Sequence, residues 1–268
     1  MKSHNLQRRS ILGTGLLAMS AATLAKQIED NVGVRKTFVL IHGAWHGGWC
    51  WSRVSDLLLS KGHKVYAPSL TGNGDRSHLL SKDINLDTHI ADIVNLFKWE
   101  DLSDVCLVAH SYGGWPVSGA LEQIHNRVSS LVLVDAFKPE NGQKGIDNAS
   151  EFSRKSLLDA LSRGEPGRKA PPANSFTMNA KDIPWLEAKM TPQPNGVATQ
   201  AIYLTGARDK VVKKTYIRAP RYPQPAFDQA LAQCKADSSW KTFVMEDTGH
   251  DVMVDQPEKL AEILIRSF

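Results

Sequence analysis

The sequence is short of several things, and each shortage excludes something. It has only three cysteines in 268 residues, Cys50, Cys106 and Cys234, without the close spacings that bind metal. That excludes a disulfide-stapled scaffold and a cysteine metal centre, and leaves open only a single pair such as Cys50 with Cys106. An excess of charge is lacking too. The net charge is +4, but Lys2, Arg8 and Arg9 supply +3 of it in residues 1–25, which hold no Asp or Glu. The +1 left over is no electrostatic footprint for nucleic acid. Internal repeats and low-complexity tracts are missing, which excludes solenoids and arrays.

What is present is an ordinary globular composition, 42% hydrophobic and 22% charged. The length suits one α/β domain with an insertion. The first residues read MKSHNLQRRSILGTGLLAMSAATLAKQ. A basic start, an apolar stretch over 11–24 and small residues near Ala25 predict an export signal over 1–25. Arg8-Arg9 resembles the twin-arginine type, with an ordinary Sec signal as the alternative. Ser, Thr and Gly interrupt the stretch, short of the roughly 20 apolar residues a span needs, so no stable membrane anchor is expected. The expected location is exported, periplasmic or secreted.

Further along, β-branched and apolar runs at 37–41, 64–67, 105–109, 128–134, 215–218 and 242–245 predict strands. Helical spacing follows most of them, at 51–61, 86–99, 113–124, 226–235 and 257–265. Runs apolar on both faces suit a parallel sheet covered on both sides. The fold class is therefore α/β, a mostly parallel sheet of about six strands with helices on both faces. Over 138–196 the grammar changes. Gly, Pro, Ser and Asn abound, with helical patches at 150–162 and 185–189. This segment retains Phe152, Leu157, Leu161, Phe176, Trp185 and Met190 for packing, so it reads as an inserted helical lid, with core at 36–137 and 197–268.

The chemistry gathers at strand ends. Ala109-His110-Ser111-Tyr112-Gly113 is a variant of G-x-S-x-G between a strong strand and a helix, the corner that projects a nucleophilic serine. Serine needs a base, and in this arrangement the base follows the last strand. Only His125 and His250 come after Ser111, and His125 lies at the far end of the helix that Ser111 starts. His250, in MEDTGHD, is the expected base. His42, His46 and His110 are expected to line the site or orient backbone. Two acids lie between Ser111 and His250 at suggestive places. Asp135 ends strand 128–134. Asp209 precedes strand 215–218, and too few residues separate it from 202–204 for a parallel crossover. Asp135 is therefore expected to orient His250, with Asp209 as the alternative acid. The backbone N–H groups of Tyr112 and Ala44 are the expected oxyanion donors. Trp45, Trp115, Phe137, Phe176 and Trp185 are candidates for an apolar pocket.

With HGAWHGGWCW, PSLTGNGDRSHLL, DTHIADIVN, AHSYGG, VDAF and TGHD in view, the chain resembles the α/β-hydrolase superfamily over residues 36–268. Within it, the chain is similar to small bacterial esterases related to plant methylesterases and hydroxynitrile lyases. The resemblance implies a cofactor-free serine esterase acting on a small-molecule ester through an acyl-enzyme. Two departures narrow this. The plant members place the acid after the later strand, where this chain has Tyr222-Pro223. The lyases use a threonine at the place of Gly43 and a lysine at the place of Asp251. Ester hydrolysis is the expectation, with another serine hydrolase (carbon–carbon or amide bond) or a lyase-like enzyme as alternatives. A small-molecule binding protein with a vestigial triad is the alternative of another class. No metal and no nucleic-acid partner are expected, and the oligomeric state stays open.

Overall fold

The computed structural model describes residues 35–268; the export signal expected over 1–25 lies outside the described residues. In chain order the first half forms β1 (Thr37–Ile41), α1 (Ser52–Ser60), β2 (Lys64–Tyr66), α2 (Leu86–Trp99), β3 (Val105–His110), α3 (Gly114–Ile124) and β4 (Val128–Val134). An insertion follows with α4 (Glu151–Ser162), β5 (Gly167–Arg168), α5 (Ile183–Lys189), β6 (Gln193–Pro194) and α6 (Gly196–Thr199). The chain closes with β7 (Lys213–Arg218), α7 (Pro225–Ala236), β8 (Trp240–Val244), α8 (Val252–Asp255) and α9 (Pro257–Arg266).

Six strands make one sheet in the order β2-β1-β3-β4-β7-β8, and every pairing in it is parallel. Side chains alternate across it with period two. Phe38, Leu40, Cys106, Val108, Val132 and Val134 face α1 and α9. Val39, Ile41, Leu107, Ala109, Leu131 and Leu133 face α2 and α3. Both faces are therefore dry, which is why the strands read as unbroken apolar runs. Local signals set the helix starts. The Asn85 side chain accepts the Thr88 N–H at 3.0 Å and Thr88 Oγ1 accepts the Asn85 N–H at 3.3 Å, a reciprocal cap for α2.

After β1 the chain runs outward to β2, then returns to lay β3 on the other side of β1. The rim above β1 and β3 is thus the crevice where open parallel sheets bind ligands. The insertion is tied to this rim. Trp45 N–H donates to Gln193 Oε1 at 3.0 Å, and Thr191 N–H to Trp45 O at 2.9 Å. Its expected anchors divide: Leu157 and Phe176 are buried, but Phe152 and Leu161 are exposed, because α4 turns only Leu157 and Ala160 fully inward. Cys50, Cys106 and Cys234 are all free and buried, so the pair left open does not form. Among the described residues no helix is long and apolar enough to cross a membrane.

Candidate active site

Three residues just beyond strand ends carry positive φ: Trp45 (65°) after β1, Ser111 (52°) after β3 and Asp135 (43°) after β4. For non-glycine residues that conformation costs on the order of 1–3 kcal/mol each and persists only where the surroundings enforce it. Here they do. The Ser111 carbonyl accepts Phe137 N–H at 3.1 Å and Asp135 N–H donates to Ile217 O at 2.6 Å. At Gly113 a Cβ would lie 2.8 Å from the His42 carbonyl oxygen, so the corner beneath Ser111 needs a residue without one.

His250 sits in the loop between β8 and α8. Its Nδ1–H donates to Asp135 Oδ2 at 2.6 Å, both residues being buried. A neutral imidazole protonated there carries its lone pair on Nε2. The Asp135 Oδ1 accepts Arg218 Nη1–H at 2.7 Å and Ala219 N–H at 2.9 Å, so both oxygens of the buried carboxylate are satisfied. The imidazole is clamped by aromatic rings, Tyr222 stacked at 4.1 Å and Phe227 at 5.6 Å. On another side His110, the residue before Ser111, packs at 4.4 Å and donates Nε2–H to the His250 carbonyl at 3.0 Å.

Ser111 faces a cavity whose wall also includes Tyr222 and Phe227, the rings against His250. Its hydroxyl has no hydrogen-bond partner among the described residues and is open to the cavity. Ala44 and Tyr112 line the same cavity. Neither backbone N–H is spent on an intramolecular bond among the described residues. Neighbouring histidines hold these donors in place. His42 donates Nδ1–H to Gly43 O at 2.7 Å and accepts Leu70 N–H at 2.9 Å. His89 donates to Thr71 O at 2.8 Å and accepts the Tyr112 hydroxyl at 3.0 Å. Burial drives both imidazoles neutral, His42 to about 3 and His89 to about 4.

A nucleophile corner, a His–Asp pair reaching across the sheet rim from beyond β8 to the end of β4, and two free N–H groups at the switch point outline acyl-transfer chemistry. The family model for the alpha/beta hydrolase family matches residues 38–263. The chain belongs to that family. A carbendazim hydrolyzing esterase of Nocardioides sp. is 34% identical over 236 residues, 85% of this chain and 97% of that protein. A putative methylesterase 15 of Arabidopsis thaliana is 25% identical, covering 98% of this chain and 63% of its own length. Among solved structures, an extracellular alpha/beta-hydrolase from a Paenibacillus species superposes with a TM-score of 0.76 at 23% identity, over 87% of this chain and 98% of that one. The chain is a hydrolase of the carboxylesterase type.

In this hydrolase the other predicted residues fall as follows. Asp209 is exposed in a turn, Ala207–Lys210, before the amino end of β7, away from His250. Trp45, Trp115 and Phe137 line the cavity. Phe176 and Trp185 do not, which corrects the expectation. Phe176 is buried behind the wall against Trp45 and His46, and Trp185 packs edge-on to Trp49 at 5.1 Å beneath the Arg53 guanidinium. Among the described residues no group of three or more His, Cys, Asp or Glu is placed to hold a metal ion.

Sequence reasoning missed two groups. Arg218, only 1% exposed, binds Asp135, Asp228 Oδ1 (2.8 Å) and the carbonyls of Ala219 and Tyr222. It thereby joins the carboxylate to the loop that stacks Tyr222 on His250. A charged residue ending a buried strand was the available signal. The second group is His46 with Asp251. His46 Nε2–H donates to Asp251 Oδ2 at 3.0 Å, and His46 Nδ1–H to the Ala44 carbonyl at 2.7 Å. Burial alone would lower the His46 value, but the Asp251 charge and both hydrogen bonds carry it above the ordinary 6.5. Asp251, against its burial, is drawn down to about 2, chiefly by His46.

Proposed function

We propose that this hydrolase is a serine carboxylesterase of small esters working through an acyl-enzyme. The carrying observation is the Nδ1–Asp135 bond of His250, made at the same rim where Ser111, Ala44 and Tyr112 line one cavity. Ser111 Oγ attacks the ester carbonyl carbon and passes its proton to His250 Nε2. The N–H groups of Ala44 and Tyr112 hold the oxyanion. The carbon–oxygen bond to the leaving group then breaks, and His250 returns the proton to the departing alkoxide. Water attacks the acyl-serine, gives a proton to His250 Nε2, and frees the acid as that proton returns to Ser111. Asp135 stays ionised throughout and stabilises the imidazolium.

The esterase names of the relatives support this reading. Gly43 weighs against the lyase alternative, since a Cβ there would lie 2.8 Å from His110 Nδ1 and 2.9 Å from Ser111 Cβ. A threonine has no room. In the same proposal, residues 138–196 act as the lid of the cavity and residues 1–25 direct export. Turnover of p-nitrophenyl acetate and butyrate by the wild type, and none above background by Ser111→Ala, is the expected result. Undiminished turnover in the variant defeats the mechanism. Ligand binding without fluorophosphonate labelling would instead favour a binding protein.

A further inference from the structure

Among the described residues one charged side chain lines the cavity above Ser111, and it has no counter-ion there. Arg168, from β5, is 8% exposed, and its Nε and Nη1 are buried without a hydrogen-bond partner among the described residues. No Asp or Glu among the described residues shares the cavity wall. On its outer side Arg168 borders a recess with Arg163, Glu165 and Lys169, but Glu165 is already held by Arg163 at 2.8 Å. Each of the other buried Arg and Lys side chains has at least one hydrogen-bonded oxygen, although Arg208 Nε is also without a partner among the described residues. Arg218 has Asp135 and Asp228. Lys214 donates to the carbonyl of Val211 at 3.0 Å. Arg208 donates to Pro139 O at 2.9 Å.

A buried guanidinium with unspent in-plane donors is costly unless something completes it. The Trp45 ring, 5.5 Å away, offers its π face and leaves those in-plane donors unspent. Burial lowers the Arg168 value to about 10, so it is a cation at neutral pH. What fits a planar fork of donors is a planar pair of acceptors, a carboxylate. The wall that Arg168 and Ser111 share includes the apolar side chains of Trp45, Trp115, Phe137 and Leu157, which suits a hydrocarbon spacer.

We infer that Arg168 anchors a carboxylate on the substrate, so that the preferred esters are half-esters of dicarboxylic acids. The inference deepens the esterase reading, and its turnover arm rests on Ser111 as nucleophile; its binding arm does not. The probes are monomethyl adipate and its isostere with an isopropyl end in place of the carboxylate. The wild type should favour the half-ester, and Arg168→Met should cut the ratio of the two kcat/KM values by about 10- to 100-fold. Arg168→Lys, which keeps the charge but not the fork, should restore part of that ratio. In calorimetry, Ser111→Ala protein should bind adipate, and adding Arg168→Met should abolish the binding. Equal proportional losses on both esters, or adipate binding indifferent to residue 168, overturns the inference. If neither ester turns over but adipate binding still requires Arg168, the anion site stands and the esterase reading falls.

Discussion

Two histidine–aspartate pairs share the carboxyl rim of the sheet, and their difference lies in the second nitrogen. His250 gives Nδ1–H to Asp135 and makes no bond within the described protein through Nε2. His46 has both nitrogens against oxygens, Asp251 Oδ2 at 3.0 Å and the Ala44 carbonyl at 2.7 Å, so both must carry protons. The first arrangement suits a base. The second is a buried cation fixed beside its anion, with one nitrogen spent on holding the loop that presents Ala44. In the proposed mechanism the same two residue types thus serve chemistry in one place and architecture in the other, decided by what the remaining nitrogen meets.

Mutations can break this comparison. Loss of Ser111 or His250 to alanine should lower kcat by about 10⁴-fold or more, read with any turned-over p-nitrophenyl ester. Asp135→Asn should cost about 10²- to 10⁴-fold, since the amide no longer stabilises the imidazolium. Arg218→Met removes a cation from a buried carboxylate and should cost about 3–5 kcal/mol of stability in denaturant titration. Its kcat loss should be smaller than that of Asp135→Asn.

A finer test uses pH. Asp251 is held at about 2 against an ordinary 3.8, and His46 above its ordinary 6.5. A depressed acid stabilises above its unfolded value and loses that as pH falls through the folded one. A raised base stabilises below its unfolded value and loses that as pH rises through the folded one. The Tm gap between wild type and Asp251→Asn should therefore be widest from about pH 4 to 6.5 and narrow on both sides. A gap flat across pH would mean the pair is not ionic. Smallest of all, Asp209→Asn should leave kcat and Tm unchanged within error, as a solvated turn charge.

Much of the fold was legible because both sheet faces are apolar, so strands such as 128–134 stand out as continuous runs. β7 was harder. It begins two residues before the expected 215, at Lys213 and Lys214, and Lys214 is buried only because its ammonium reaches carbonyls of the preceding turn. The places of Ser111 and His250 at the rim were legible from order and context, and the pairing of His250 with Asp135 from the room a crossover needs. Arg218, Arg168 and the His46–Asp251 pair were not. Each depends on a partner or cavity far away in sequence, 83 residues for Arg218 with Asp135 and 205 for His46 with Asp251. Phe176 and Trp185 misled for the converse reason: an aromatic in the insertion can face the cavity or back the wall, and composition does not say which.

The most direct test of the account is the rate at which a fluorophosphonate labels Ser111, followed by mass spectrometry of the modified peptide in parallel variants. The account predicts an adduct on Ser111 alone, with labelling slowed about 100-fold or more in Asp135→Asn and at least tenfold less affected in Asp251→Asn. An adduct elsewhere, or greater slowing in Asp251→Asn than in Asp135→Asn, would contradict it.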